Sequence, residues 1–169
     1  MFRLAKLFSI CCIILVFAII GAVYANESKT IVFLIPETAT KVMAEGISKF
    51  REEYPSLAKK VNIVVYPGRD LEQKLIEPDF SDADIIFLNH ISYRVMLDME
   101  KDLKIARARG AKVIGIGGYD VFRVKGYYNV DVTTYPEIAA YWEYNGPENV
   151  KRLIAVSYTH LTLPTKRIV

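Results

Sequence analysis

Thr30-Ile31-Val32-Phe33-Leu34-Ile35 is an unbroken run of apolar and β-branched residues, stopped by Pro36. A strand that shows one face to water alternates apolar with polar residues, whereas a strand covered on both faces does not. The run therefore reads as a strand inside a parallel sheet. Val61 to Tyr66 (VNIVVY) and Asp84 to Leu88 (DIIFL) have the same character, and Lys112 to Ile116 (KVIGI) is a fourth such run. Between them the apolar period lengthens from two residues to about 3.6. Thr38 to Arg51 places Ala39, Val42, Met43, Gly46, Ile47 and Phe50 on one helical face. Ser92 to Arg109 does the same with Met96, Met99, Leu103 and Ala106, and Gly110 suits the helix end. Arg69 to Ile76 has room for a short helix before Pro78. Strand–helix alternation makes the fold class α/β. The expected form is a flavodoxin-like parallel sheet of about four strands in the order 2-1-3-4, flanked by helices and truncated at its C-terminal end.

The chain has 169 residues, 52% of them hydrophobic and 24% charged. That is one domain's worth of core, and it excludes a disordered polymer. The formal charge is +3, but Arg3, Lys6, Lys166 and Arg167 lie near the two ends, and without those four the charge is −1. A body so close to neutral has no electrostatic footprint for nucleic acid.

Both ends read differently from the body. Arg3 and Lys6 precede the uncharged stretch Leu7 to Ile20, and Val23 and Ala25 stand at −3 and −1 of a cut before Asn26. This is the pattern of a signal peptide over residues 1–25. The rival is an uncleaved anchor, since the uncharged run extends to Tyr24, and only then would residues 7–24 engage a membrane. Either way the expected location of the body is outside the cytoplasm, on the periplasmic or extracellular face. Cys11 and Cys12 fall within this stretch, which leaves the mature body without disulfide or thiolate metal site. At the other end, Val156-Ser157-Tyr158-Thr159-His160-Leu161-Thr162-Leu163-Pro164-Thr165 matches one translated reading frame of a transposon-based sequencing adapter. Residues 156–169 are therefore expected to be foreign to the natural chain and to make few contacts with the α/β body at 26–155.

After the fourth strand, Tyr119 to Val132 is rich in Tyr, Gly and Asn and is expected to wrap the sheet edge. Thr133 and Thr134 precede a helix with Pro136 in its first turn and Ile138, Tyr141 and Trp142 facing inward. Asn145-Gly146 ends it. Pro147 opens a last helix whose stripe, Val150, Leu153 and Ile154, is expected to lack partners because the natural chain breaks off.

Ligands of such sheets bind outside the carboxyl ends of the strands. The residues there are Glu37 and Thr38, Arg69 and Asp70, Asn89 and His90, and Gly117, Gly118, Tyr119 and Asp120. With His160 in the tail, His90 is the only histidine of the body, and without cysteines or clustered carboxylates it reads as a hydrogen-bonded loop residue. Gly115-Ile116-Gly117-Gly118 lacks the spacing of a phosphate cradle and reads as a tight turn. Tyr127 and Tyr128 offer planar surface to a ligand, or pack in the core. There is no Ser–His–Asp set, paired histidine or Walker lysine. No catalytic residue and no metal ligand is assigned.

The segment Tyr141-Trp142-Glu143-Tyr144-Asn145-Gly146-Pro147-Glu148-Asn149-Val150-Lys151-Arg152-Leu153 resembles the Y-x-x-x-G-G-x-E-N-x-x-x-L segment of the large subunits of cobalt- and magnesium-chelatases (the CobN and magnesium-chelatase H family). An upstream strand like Ala83 to Leu88 and a G-x-K-V-I strand like Gly110 to Ile114 occur in the family's order. The matching motif residues are Tyr141, Gly146, Glu148 and Asn149; Asn145 departs, standing where the family has a glycine. Asn tolerates the left-handed backbone such a turn requires. The resemblance implies the N-terminal portion of a much larger cobaltochelatase-like subunit that handles a tetrapyrrole substrate and its metal. It further implies cobalt or magnesium as the metal, ATP on separate chelatase ATPase subunits, and no cofactor or catalysis in this portion alone. Export fits poorly with ATP, and better with relatives thought to act on tetrapyrroles in the envelope, metal removal included. The alternative class is an exported α/β solute-binding domain.

Overall fold

A computed structural model of the chain describes residues 28–116 and 125–162. The signal or anchor stretch, Gly117, Gly118, Tyr119 and Asp120, and the last residues of the tail lie outside the described residues. Four strands, β1 (Lys29–Ile35), β2 (Val61–Pro67), β3 (Ala83–Asn89) and β4 (Lys112–Ile116), form one sheet in the order β2-β1-β3-β4. Every pairing is parallel. The expected α/β class and strand order are both present.

The central strand is buried on both faces, as its composition requires: Ile31, Phe33, Leu34 and Ile35 are all 0% exposed. Ile31, Phe33 and Ile35 point into one layer, and Val32 and Leu34 into the other. Each such side chain contributes about 1.5–3 kcal/mol on burial, which opposes the ordering entropy of the chain. The first layer is closed by α1 (Thr40–Glu53), which follows a 3₁₀ turn at Glu37–Ala39 and leads into the single turn α2 (Pro55–Ala58). The second layer is closed by α3 (Gly68–Glu72), α4 (Tyr93–Asp98) and α5 (Glu100–Ala108). The chain then returns to the first layer as α6 (Pro136–Glu143) and α7 (Pro147–Ser157), with a π turn at Tyr158–Thr162. No helix among the described residues is long and apolar enough to cross a membrane.

Asp84 sets the register. Thr30 pairs with Ala83 but Ile31 with Ile85, so Asp84 is the extra residue. Its carboxylate accepts from the Thr30 amide at 2.8 Å and from Lys29 Nζ at 3.1 Å, which ties the start of β1 to the bulge.

Several expectations need correction. Ser92 to Arg109 is not one helix: the backbone bends at Met99 (φ −94, ψ 0) between α4 and α5. The amide of Met99 still bonds Val95 and its carbonyl still accepts from Leu103, so this is a bend that keeps Met96, Met99, Leu103 and Ala106 all against the sheet. The expected helix at Arg69 to Ile76 stops after Glu72, and Lys74 takes a left-handed φ of 54. Val150, Leu153 and Ile154 are not bare. They are 4%, 0% and 0% exposed, because α7 packs along α1. Nor does residue 156 begin a detached tail. Val156 and Tyr158 pack on the core and Leu161 is 3% exposed, since positions 150, 153, 154, 157 and 161 continue one helical stripe.

That stripe has one flaw. Ser157 is fully buried and its hydroxyl has no hydrogen-bond partner. An unsatisfied buried hydroxyl costs about 1–3 kcal/mol. Ser157→Ala is therefore expected to stabilise the fold by about 1 kcal/mol, read as a rise in the urea midpoint at constant slope. A lower midpoint would mean that the hydroxyl is bonded.

Candidate functional site

A cavity of about 630 Å³ opens at the carboxyl end of the sheet. Three strand ends build its floor: Pro36 after β1, Asn89 and His90 at the end of β3, and Ile116 closing β4. The walls are Thr38 and the first turns of α1 on one side, and α6 with the α6–α7 turn on the other. Ala139, Trp142 and Glu143 lie at i, i+3 and i+4 on α6, so one helical face carries them all to the opening.

Trp142 is positioned by an aromatic stack. Phe33 and Phe87 are register partners on β1 and β3, 4.9 Å apart and nearly parallel (9°). The Trp142 indole lies parallel to both, at 6.3 and 6.5 Å. Such stacks contribute about 0.5–1.5 kcal/mol beyond burial, and they fix the plane of the ring. Trp142 is the chain's single tryptophan, so its emission reports on the cavity.

At the end of β3, Asn89 is buried (5% exposed) while His90 is exposed on the cavity. His90 adopts a left-handed φ of 47, and its Nδ1 lies 2.5 Å from Asn89 Oδ1. In the tautomer with the hydrogen on Nδ1, the one that donates to the Asn89 amide oxygen, the ring lone pair is on Nε2.

Of the expected residues, Thr38, Asn89 and His90 come together here. Glu37 sits beside the opening in the exposed 3₁₀ turn, where its carbonyl accepts from Thr40 Oγ1 at 2.7 Å. Arg69 and Asp70 lie on α3, outside the lining. Gly117, Gly118 and Tyr119 fall outside the described residues. Tyr128 packs against the opposite layer, over Gly115, and does not face this cavity. Trp142, expected to face inward from its helix with Tyr141 and Tyr144 as aromatic surface for stacking or packing, lines the cavity, as does Asn145 just past the end of α6. Glu143 lines it too and was not among the expected residues, although its i+4 spacing from Ala139 on α6 was readable.

The motif residues build the turn that holds this wall. Asn145 and Gly146 have φ of 42 and 109, so the asparagine does take the left-handed conformation in the glycine's place. Asn145 Oδ1 accepts from the Gly146 amide at 2.8 Å, and Asn149 Nδ2 donates back to the Asn145 carbonyl at 3.0 Å. Tyr141 is half-buried against the core. Glu148 grips Lys151 at 2.5 Å and Arg152 at 3.2 Å, and Lys151 also reaches Glu53 of α1 at 2.6 Å. The Lys151 hydrogen bond is the main reason the Glu148 carboxyl is held below its ordinary value of 4.5, and Lys151 is raised above 10.5 in turn. A depressed acid stabilises fully above its unfolded pKa and loses that contribution as pH falls through the folded one. Stability is thus expected to decline below about pH 4.5, and Glu148→Gln to flatten that decline, checked by urea midpoints at neutral and acid pH. An unchanged acid limb would place the titration elsewhere.

Among the described residues no group of three or more His, Cys, Asp or Glu is arranged to hold a metal ion. What the lining offers is an aromatic plane, a buried amide, an imidazole and one exposed carboxylate, which is binding chemistry. Fold and cavity together define a parallel α/β domain with a cavity at the strand ends, the place where ligands of such sheets bind. No protein-family model matches the sequence, and no curated protein does. Among solved structures, the catalytic subunit of cobaltochelatase from Mycobacterium tuberculosis is similar at a TM-score of 0.47 and 12% identity, over 81% of this chain. The chain spans 11% of that subunit's length.

Proposed function

We propose that this chain is the N-terminal, ligand-docking portion of a cobaltochelatase-like large subunit, that it takes the edge of a tetrapyrrole into the strand-end cavity, and that it does not itself insert or remove metal. The observation that carries this reading is the junction of motif and cavity. The turn built by Asn145, Gly146 and Asn149, which resembles the chelatase segment, directly follows the α6 face that brings Trp142 and Glu143 to the 630 Å³ opening, and Asn145 itself lines it. That volume lies within the ordinary range for small-molecule sites, and an aromatic plane suits a planar conjugated ligand. The full-length protein would either insert cobalt or magnesium together with ATP-bearing partner subunits or remove the metal from the ring in the envelope, and the second role is the one that suits a body outside the cytoplasm.

Titration of the 169-residue chain with protoporphyrin IX tests docking. The expected result is saturable quenching of Trp142 emission, lost in Trp142→Leu by porphyrin absorbance as well. Cobalt, magnesium or ferrous ion added to the complex should produce no metalloporphyrin spectrum. Metal insertion by the chain alone would overturn the division of labour. Absence of porphyrin binding together with stoichiometric binding of a sugar, amino acid or peptide would favour a solute receptor instead.

A further inference from the structure

The end of β3 carries a feature that a purely apolar docking site does not need. His90 is held in a left-handed backbone conformation (φ 47) on the cavity, a state uncommon outside glycine though one that Asn, Asp and His adopt more readily than other residues, and one that clusters at functional sites. Its Nδ1 lies 2.5 Å from Oδ1 of the buried Asn89, and in the tautomer that donates Nδ1–H to that oxygen the ring lone pair is on Nε2. A ring nitrogen left basic, with the other nitrogen tied to a fixed acceptor, is the arrangement of a ligating histidine and its outer-shell partner. Too few donors surround it for a free ion, as the lack of any three-residue cluster among the described residues makes plain. One donor is sufficient when a planar ring already supplies the other ligands.

We propose that His90 Nε2 is an axial ligand to the metal of a metallated tetrapyrrole in this cavity, and that Asn89 is its positioning residue. The inference rests on the reading of the cavity as a tetrapyrrole site. Ligation forms one coordinate bond from the Nε2 lone pair and releases a water from the metal. No electron is transferred, and the Nδ1 proton stays on the bond to Asn89. In this role the domain favours the metallated ring over the free base, which is a retention step before removal or after insertion.

The experiment uses the 169-residue chain with two probes, ferric protoporphyrin IX and free-base protoporphyrin IX. His90→Gly is the informative variant because glycine accepts the left-handed backbone without strain. The wild-type chain is expected to bind the ferric ring with the Soret and visible bands of imidazole ligation. His90→Gly should weaken ferric binding on the order of tenfold or more beyond any change in free-base binding and lose those bands, and added imidazole should restore the bands. Asn89→Ala should broaden the bands and weaken ferric binding alone. Free-base binding confirms that each variant is folded. An unchanged ferric spectrum and affinity in His90→Gly, with free-base binding intact, would overturn the axial role and leave the docking reading standing. Failure of the wild-type chain to bind either ring would overturn both.

Discussion

Gly46→Leu is expected to lower the stability of the domain by about 3 kcal/mol or more, the strain of overpacking a close helix contact. Gly46 is buried on α1 where α7 crosses it, and a Cβ placed there would lie 2.5 Å from both Cβ and Cγ1 of Val150 and 3.0 Å from the Pro147 carbonyl. A Cγ1 can rotate away, but a Cβ and a backbone carbonyl cannot, so α7 itself has to move. That motion would pull Leu153 and Ile154 out of the core and shift Val150 and Asn145 in the cavity wall. Even alanine should destabilise, because its gain of about 1 kcal/mol in helix propensity is smaller than the clash. Thermal or urea unfolding measures the loss. A Gly46→Ala, Val150→Gly double variant, in which the opposing Cβ is gone, that is less destabilised than the sum of the single effects would confirm the contact, whereas strict additivity would refute it.

Gly115→Val should be nearly as damaging, by roughly 2–3 kcal/mol. A Cβ on Gly115 would lie 1.9 Å from Cζ of Tyr128, so the phenol ring occupies the place of a side chain on β4. The same segment closes the sheet edge through Asn129, whose amide mimics a neighbouring strand. Its Oδ1 accepts from the Val113 amide at 2.6 Å and its Nδ2 donates to the Ala111 carbonyl at 2.8 Å. Expelling Tyr128 would therefore also strain the bonds that cover the β4 edge. Two readouts are expected: a fall in Tm of the order of 10 °C, and return of the Tyr128 phenol, which burial pushes up, toward its ordinary value of 10.0. A variant of unchanged Tm with the tyrosine titration intact would show that the ring has another place to lie.

Strand positions, the parallel order and the inward faces of the first helices were legible in the amino-acid sequence, because they depend on local periodicity and on which runs lack alternation. Ile31 to Ile35 could only be a strand covered on both sides, and Met43, Phe50, Met96 and Leu103 could only face it. The left-handed turn at Asn145 was legible for the same local reason, since few residues other than asparagine and glycine tolerate it. The strand-end rule likewise located Thr38, Asn89 and His90. What periodicity could not supply was distance between elements far apart in the chain. That Gly46 is the contact point of α1 with α7, that Gly115 is a seat for Tyr128, and that the stripe from Val150 runs on through Leu161 into the core are facts of packing. The far wall of the cavity belongs to the same class. Trp142 reaches it only because Phe33 and Phe87, brought side by side by strand register, give its indole a surface to stack on. Short-range patterns choose the elements; the volumes and planes of side chains meeting across the sheet choose where those elements come to rest.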